Sequence, residues 1–221
     1  MSEKFAEGKN FKKLFWVFII GCVFGTYYEE LLTVLRSLID TGVFYWAPRR
    51  GVFWGPFSPI YGFGAVLMTL ALIGKNDKWY VSFIKTALIG GAFEYLVSFF
   101  QEMFLHTVAW DYTGLFLNIN GRTTIPYMIV WGVMGVLFVR YIYPIMERII
   151  EALPKKRGQV LTIIMFVFIT FDIVVSWSAI ARQTLRHMDK PPVTFIGEFY
   201  DKYFDDEYLH KHFPNTIRKE N

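Results

Sequence analysis

The sequence predicts an all-α protein, a polytopic transmembrane helical bundle of about five spans. Three observations carry that reading. Of 221 residues, 54% are hydrophobic and only 19% charged, with a mean hydropathy of +0.33. The charges bunch between long apolar runs, the pattern of a chain whose solvent is partly hydrocarbon. The runs lack the period-two alternation of barrel strands, and only helices or closed barrels satisfy their backbone in lipid. Trp and Tyr gather near the ends of the runs (Trp16, Trp46, Trp54, Trp79, Tyr80, Trp110, Tyr127, Tyr141, Tyr143), where amphipathic rings suit the membrane interface.

The expected spans are residues 14–35, 56–73, 80–105, 126–145 and 160–181. Each is about long enough to cross ~30 Å of hydrocarbon at ~1.5 Å per residue. The first run carries Ile19-Ile20-Gly21-Cys22, which has the form of a lipoprotein cleavage box. The chain stays apolar through Tyr28, however, where a processed segment would give way to a polar linker. Gly21 and Gly25 read instead as a place where a second helix comes close. Residues 1–181 form the transmembrane domain, and 182–221 form a polar C-terminal tail. Pro191-Pro192 interrupts any helix there. Thr194 is placed to cap a new one whose aromatic face (Phe195, Phe199, Tyr203, Phe204) rests on the membrane surface or on the protein's own loops. No internal repeat and no low-complexity segment is visible.

Loop charge sets the expected orientation. Lys4, Lys9, Lys12, Lys13, Lys75, Lys78, Arg148, Lys155, Lys156 and Arg157 fall on the N-terminal side, against Arg36, Arg49, Arg50 and Arg122 on the other. The positive-inside rule then places the N-terminus in the cytoplasm of a cell-membrane protein and the C-terminus outside. The formal net charge of +4 is spread over several loops rather than gathered in one stripe, so no nucleic-acid partner is implied. A single cysteine, Cys22, excludes an internal disulfide and a Cys-rich metal site.

The informative residues are the acids inside the apolar runs: Glu29, Glu30, Glu94, Glu102 and Asp172. A charge at mid-bilayer costs at least ~2.5–3.5 kcal/mol, so it faces a partner or a wet cavity. Glu94, Ser98 and Gln101 share one helix face, Asp172 and Ser176 are one turn apart, and Glu29 shares a face with Arg36, placed to screen it. Glu102 and His106 have metal-ligand spacing, but one such pair is a weak signal and reads first as a hydrogen-bonded structural pair. With the two loops expected outside, these acids and the arginines converge on one side. The arrangement suggests a polar cavity opening outward, floored by Glu94. Asn120-Gly121 reads as a turn, and Pro56 and Pro59 as the start of a helix.

Arg50-Gly51, then Gly55-Pro56-Phe57-Ser58-Pro59-Ile60-Tyr61-Gly62-Phe63-Gly64, then Glu94-Tyr95 and Glu102, then Trp110-Asp111-Tyr112, Asn118-Ile119-Asn120-Gly121-Arg122 and Trp131-Gly132, resemble in order the signature of the CmpB-like family. That family is described as ABC-transporter permeases, with multi-pass vertebrate relatives. The resemblance covers roughly residues 15–144. It implies a shared polar set of Glu30, Arg50, Tyr61, Glu94, Glu102, Asp111, Asn120 and Arg122, without assigned roles. Asp172 joins these candidates from its own position in the last span. No Gly-x-x-x-x-Gly-Lys-Ser/Thr occurs, so ATP would be handled by a separate ATP-binding subunit docked on loops 74–78 and 146–159. Five spans make a small permease, which implies such partners or a homo-oligomer. No cofactor is expected and no catalytic motif is recognisable. In the transport reading, Glu94 or Asp172 would carry a proton or pair with a cationic substrate, and Arg50 and Arg122 would bind an anionic head group. The alternatives are an intramembrane enzyme acting on a lipid or lipid-linked substrate, with the acids, His106 and arginines running proton transfer on a phosphate-bearing substrate, and a non-catalytic lipid or small-molecule binder.

Overall fold

Asn10 opens the first helix: its side chain accepts the Lys13 amide, the ordinary way of satisfying a free N-terminal donor. In the computed structural model, which describes residues 5–218, helix α1 (Phe11–Thr41) then runs 31 residues to Gly42, whose left-handed φ of 69° ends it. Helix α2 (Pro59–Leu72) begins three residues later than the expected span. Pro59 occupies its first turn, and Ser58, like most residues before proline, is extended at φ −114° and ψ 98°. Helix α3 (Trp79–Leu105) follows. Strand β1 (Thr107–Val108) and a small hairpin of β2 (Asn118–Ile119) and β3 (Thr123–Thr124) lead out of it. The hairpin turns at Asn120 and Gly121, both at positive φ, the conformation a tight two-strand turn asks for. Thr124 caps helix α4 (Ile125–Leu137), which continues through a π-helical turn into α5 (Tyr143–Glu151). Helix α6 (Lys155–His187), α7 (Phe195–Tyr203), α8 (Asp206–His212) and strand β4 (Ile217–Arg218) complete the chain.

The protein is an all-α membrane bundle. Among the described residues, four helices are long and apolar enough to cross a membrane: α1, α3, the continuous unit Ile125–Glu151, and α6. Their outward faces are Leu, Ile, Val and Phe; Ile163, Ile164 and Val167 of α6 are all more than half exposed, as hydrocarbon-facing side chains are. At 14 residues, α2 reaches only about 21 Å. The non-helical segment 50–58 precedes it and is itself enclosed, with Val52, Phe53, Phe57 and Ser58 buried.

The helices pack as two tight hairpins, α1 with α2 and α3 with α4, joined only sparsely to one another. Small residues set the close approach. A Cβ on Gly25 would fall inside the Tyr61 ring, and one on Gly135 inside the Thr86 side chain. At one end of the bundle, Phe5, Val17, Leu72, Phe138, Met146 and Ile150 form a common core. Lys13, expected as a free loop charge, is wholly buried there. Its ammonium meets Glu151 at 2.7 Å and Glu147 at 3.0 Å, which offsets the cost of taking the cation out of water.

At the opposite end, the tail folds back onto the protein. Strand β4 pairs antiparallel with β1, Val108 opposite Ile217. Phe53 is enclosed by Phe204, Tyr208, His212 and Phe213, with Phe204 stacked at 4.9 Å. Arg182 grips Asp201 through two nitrogens at 2.8 and 2.6 Å, and Arg186 bridges Asp201 and Asp206. Hydrogen bonds from Arg182 foremost hold the Asp201 carboxyl below its ordinary range. Partial burial opposes ionisation of Asp206, but hydrogen bonds from Arg186, His187 and Gln183 outweigh it and hold that carboxyl at about 2. Both acids are therefore charged at neutral pH. Of the expected aromatic face, only Phe204 packs inward, together with Tyr200, while Phe195, Phe199 and Tyr203 stay exposed.

Candidate functional site: a cleft between two hairpins

The sparse seam between the hairpins is a cavity of about 1250 Å³. Its walls are mostly apolar, with Phe24 of α1, Phe93 and Val97 of α3, and Trp131 and Met134 of α4 among them, and it reaches down to Met146. It is not polar throughout. Its polar groups are few, and they converge toward the end that carries the tail.

Each hairpin supplies a carboxylate bonded to tyrosine. Glu29 of α1 accepts a hydrogen bond from the Tyr61 hydroxyl of α2 at 2.7 Å. Glu94 of α3 accepts one from Tyr112 at 3.1 Å and one from Thr123 at 2.7 Å. Tyr112 reaches Glu94 because the loop after α3 folds back, and its ring stacks on Tyr127 of α4 at 4.7 Å. Burial, and then the neighbouring Glu94 charge, push the Tyr112 hydroxyl well above its ordinary range, so it remains a donor. The two pairs lie close enough to interact electrostatically. Glu29 was expected to face Arg36. Its hydrogen-bond partner is Tyr61 instead, with Arg49 the nearby cation.

Of the shared polar set and Asp172, Arg50, Tyr61 and Glu94 line the cavity, and the others have partners outside it. Glu30 is buried and receives the Arg49 amide at 3.4 Å. Glu102 forms a 2.6 Å ion pair with Arg122, whose guanidinium also lies over the Tyr95 and Phe99 rings. Asp111 closes the turn at Thr113. Asn120 donates to the Tyr95 hydroxyl at 3.0 Å. His106 ends α3 in a left-handed conformation, φ 49°, while the Glu102 carboxylate serves Arg122. Among the described residues, no group of three or more His, Cys, Asp or Glu is arranged to hold a metal. The sequence reading placed Glu29 among the acids of the expected cavity and the loop arginines on its side, but left Glu29, Tyr112, Arg36 and Arg49 out of the candidate site set. Arg36 lies two turns beyond Glu29 on α1 and was within reach of pattern alone. Tyr112 was not, because only the folded loop brings it back.

Asp172 has a different task. It is fully buried on α6, and its carboxylate accepts the Phe53 amide at 3.1 Å and the Trp54 amide at 3.2 Å, while Ser176 takes Phe53 at 2.9 Å. Further polar atoms of segment 50–58 are bonded too: Gly51 donates to Phe57, Ser58 to Cys22, and Trp177 donates to the Gly51 carbonyl. Irregular backbone at membrane depth persists only when it is bonded this fully.

These features define an α-helical membrane protein built of two helical hairpins around an internal cavity. The chain belongs to the family described as "Putative ABC-transporter type IV", whose model matches residues 16–177. No curated protein and no solved structure matches it.

Replacing Asp172 by leucine strands the Trp54 amide and leaves the Phe53 amide to Ser176 alone, a loss of roughly 1–3 kcal/mol. Asp172→Asn keeps one acceptor. Thermal unfolding in detergent should therefore fall in the order wild type, Asn, Leu, with the Leu variant several degrees below the Asn variant.

Proposed function

We propose that this chain is the membrane-spanning subunit of an ABC-type transporter and that its substrate route is the cavity between the two hairpins. The observation that carries the reading is the placement of two tyrosine-bonded carboxylates, one from each hairpin, within a mostly apolar cavity. Intramembrane acids are costly, and one per wall gives a substrate or proton a polar station on its way through. The family description supports the same direction. In this reading the N-terminus is cytoplasmic, and residues 42–49, loop 106–124 and the tail lie outside, with segment 50–58 dipping inward from that side, as the excess of lysine and arginine at the other end favours. A separate ATP-binding subunit would dock at the cytoplasmic end, where the exposed Lys155, Lys156 and Arg157 stand at the start of α6.

Native mass spectrometry of the tagged protein, gently extracted from its own membrane, tests the subunit assignment. A stoichiometric ATP-binding chain is expected. A homo-oligomer or monomer that carries only a bound small molecule would favour a binder or an enzyme. Orientation is tested separately with an impermeant thiol reagent, for which the one native cysteine, Cys22, is conveniently buried. A cysteine at Asn120 should label only from outside, and one at Lys156 only from inside.

Glu94→Gln removes the charge while leaving an acceptor, and the Tyr112 and Thr123 hydroxyls can turn to accept from the new amide. Transport should fall by at least about tenfold with unfolding unchanged within a few degrees. A variant that loses stability and activity together would make Glu94 a structural residue.

A further inference from the structure

Most buried or half-buried arginines in this protein are neutralised. Arg122 pairs with Glu102, Arg182 with Asp201, and Arg186 with Asp201 and Asp206. Three arginines that line the tail end of the cavity are not. Arg49 uses its Nε on the Thr33 hydroxyl, and Arg50 uses one terminal nitrogen on the Phe53 carbonyl. The Arg50 Nε is buried without any hydrogen-bond partner. Arg36 is exposed on the last turns of α1, with no hydrogen bond or ion pair among the described residues. Three guanidinium groups stand at one mouth, none of them in an ion pair; the two part-buried ones, Arg49 and Arg50, carry a desolvation cost that an anion would offset, and the exposed Arg36 adds a third positive charge. Their forked donors match the oxygens of a phosphate.

What lies beyond them sets the rest of the ligand. The cavity continues as an apolar channel past Phe24, Val97, Phe100 and Trp131. Its volume exceeds the ~300–1,000 Å³ of ordinary small-molecule pockets and suits acyl chains. The acids that share the lining are Asp40, exposed one turn past Arg36, and Glu29 and Glu94 deeper in. The two deeper acids would repel an anionic head, which keeps it at the level of the arginines.

We propose that the cavity binds an amphipathic phosphate ester, its phosphate among Arg36, Arg49 and Arg50 and its apolar chains along the seam between the hairpins. This rests on reading the cavity as the substrate route, and it names the class of substrate. Arg122, the other arginine the sequence offered for such a head group, is already occupied by Glu102.

The test is a tryptophan-fluorescence titration of the full chain in a neutral detergent with three probes: dioleoyl phosphatidate, dioleoylglycerol with the same chains and no phosphate, and inorganic phosphate. Phosphatidate should bind at least about tenfold more tightly than either other probe. The double variant Arg36→Gln/Arg49→Gln should lose that advantage while its affinity for dioleoylglycerol stays put. Arg36→Gln alone breaks no bond within the described residues, and a weakening of phosphatidate by several-fold is expected of it even if the double variant folds poorly. Equal binding of the two lipids, or an advantage that survives the substitutions, overturns the head-group assignment and leaves the cavity as an apolar route. Inorganic phosphate binding as tightly as phosphatidate also overturns it, in favour of a soluble anion. Failure of both lipids to bind sinks the cavity reading itself.

Discussion

In hydrocarbon, a backbone amide without a partner costs several kcal/mol, so a non-helical segment at membrane depth must be bonded from every side. Here the Asp172 carboxylate takes the amides of Phe53 and Trp54, and the architecture depends on that contact. It ties α6 to the segment between α1 and α2, two elements more than a hundred residues apart. With the segment held inward, α2 can be short, because its missing turns are replaced by enclosed backbone. Phe53 is then presented to the tail, which closes around it with Phe204, Tyr208 and Phe213. Arg49 and Arg50, just before the segment, are carried to the mouth of the cavity.

The five intramembrane acids therefore divide by partner. Asp172 and Glu30 accept backbone amides, and Glu102 is neutralised by Arg122. These three resolve the cost of their burial inside the fold. Glu29 and Glu94 accept from tyrosine and threonine hydroxyls, and both face the cavity. A neutral donor satisfies an acceptor without cancelling a charge. Exposure to the cavity separates these two carboxylates from the other three, which do not line it.

The bundle was legible because apolar runs and their aromatic ends report directly on the solvent of each helix. The start of α2 was misplaced by three residues because two prolines compete for it. Pro59 wins, since Gly55 takes a left-handed φ of 79° and Ser58 is extended. The roles of single polar residues were less legible. Helical spacing correctly put Glu94 and Ser98 on one face, yet Arg122 reaches Ser98 and Glu102 from a loop, and Tyr112 comes from another part of that loop. Such contacts depend on how the hairpins meet, which no local period encodes. The docking of the tail on Phe53 is a long-range match of aromatic surfaces, and an aromatic face alone did not say what it would rest on.

The sequence showed no internal repeat, but the two hairpins follow one plan. Glu29 and Tyr61 are 32 residues apart, and Tyr127 falls one residue further along from Glu94. Four residues before each glutamate stands a glycine, Gly25 or Gly90, and each is covered by an aromatic ring from the second helix of its own hairpin, Tyr61 or Trp131. A Ser or Thr followed closely by proline opens each second helix, at Ser58-Pro59 and at Thr124-Ile125-Pro126. Elsewhere the two hairpins carry different residues, which hides the likeness from pattern reading. The two halves part at arginine. The second hairpin neutralises Arg122 within itself through Glu102, whereas the first leaves Arg36, Arg49 and Arg50 outside any ion pair. Matched acids on both walls with an excess of cation on only one give the cavity a polarity across its mouth, and so a preferred side on which an anionic group can settle.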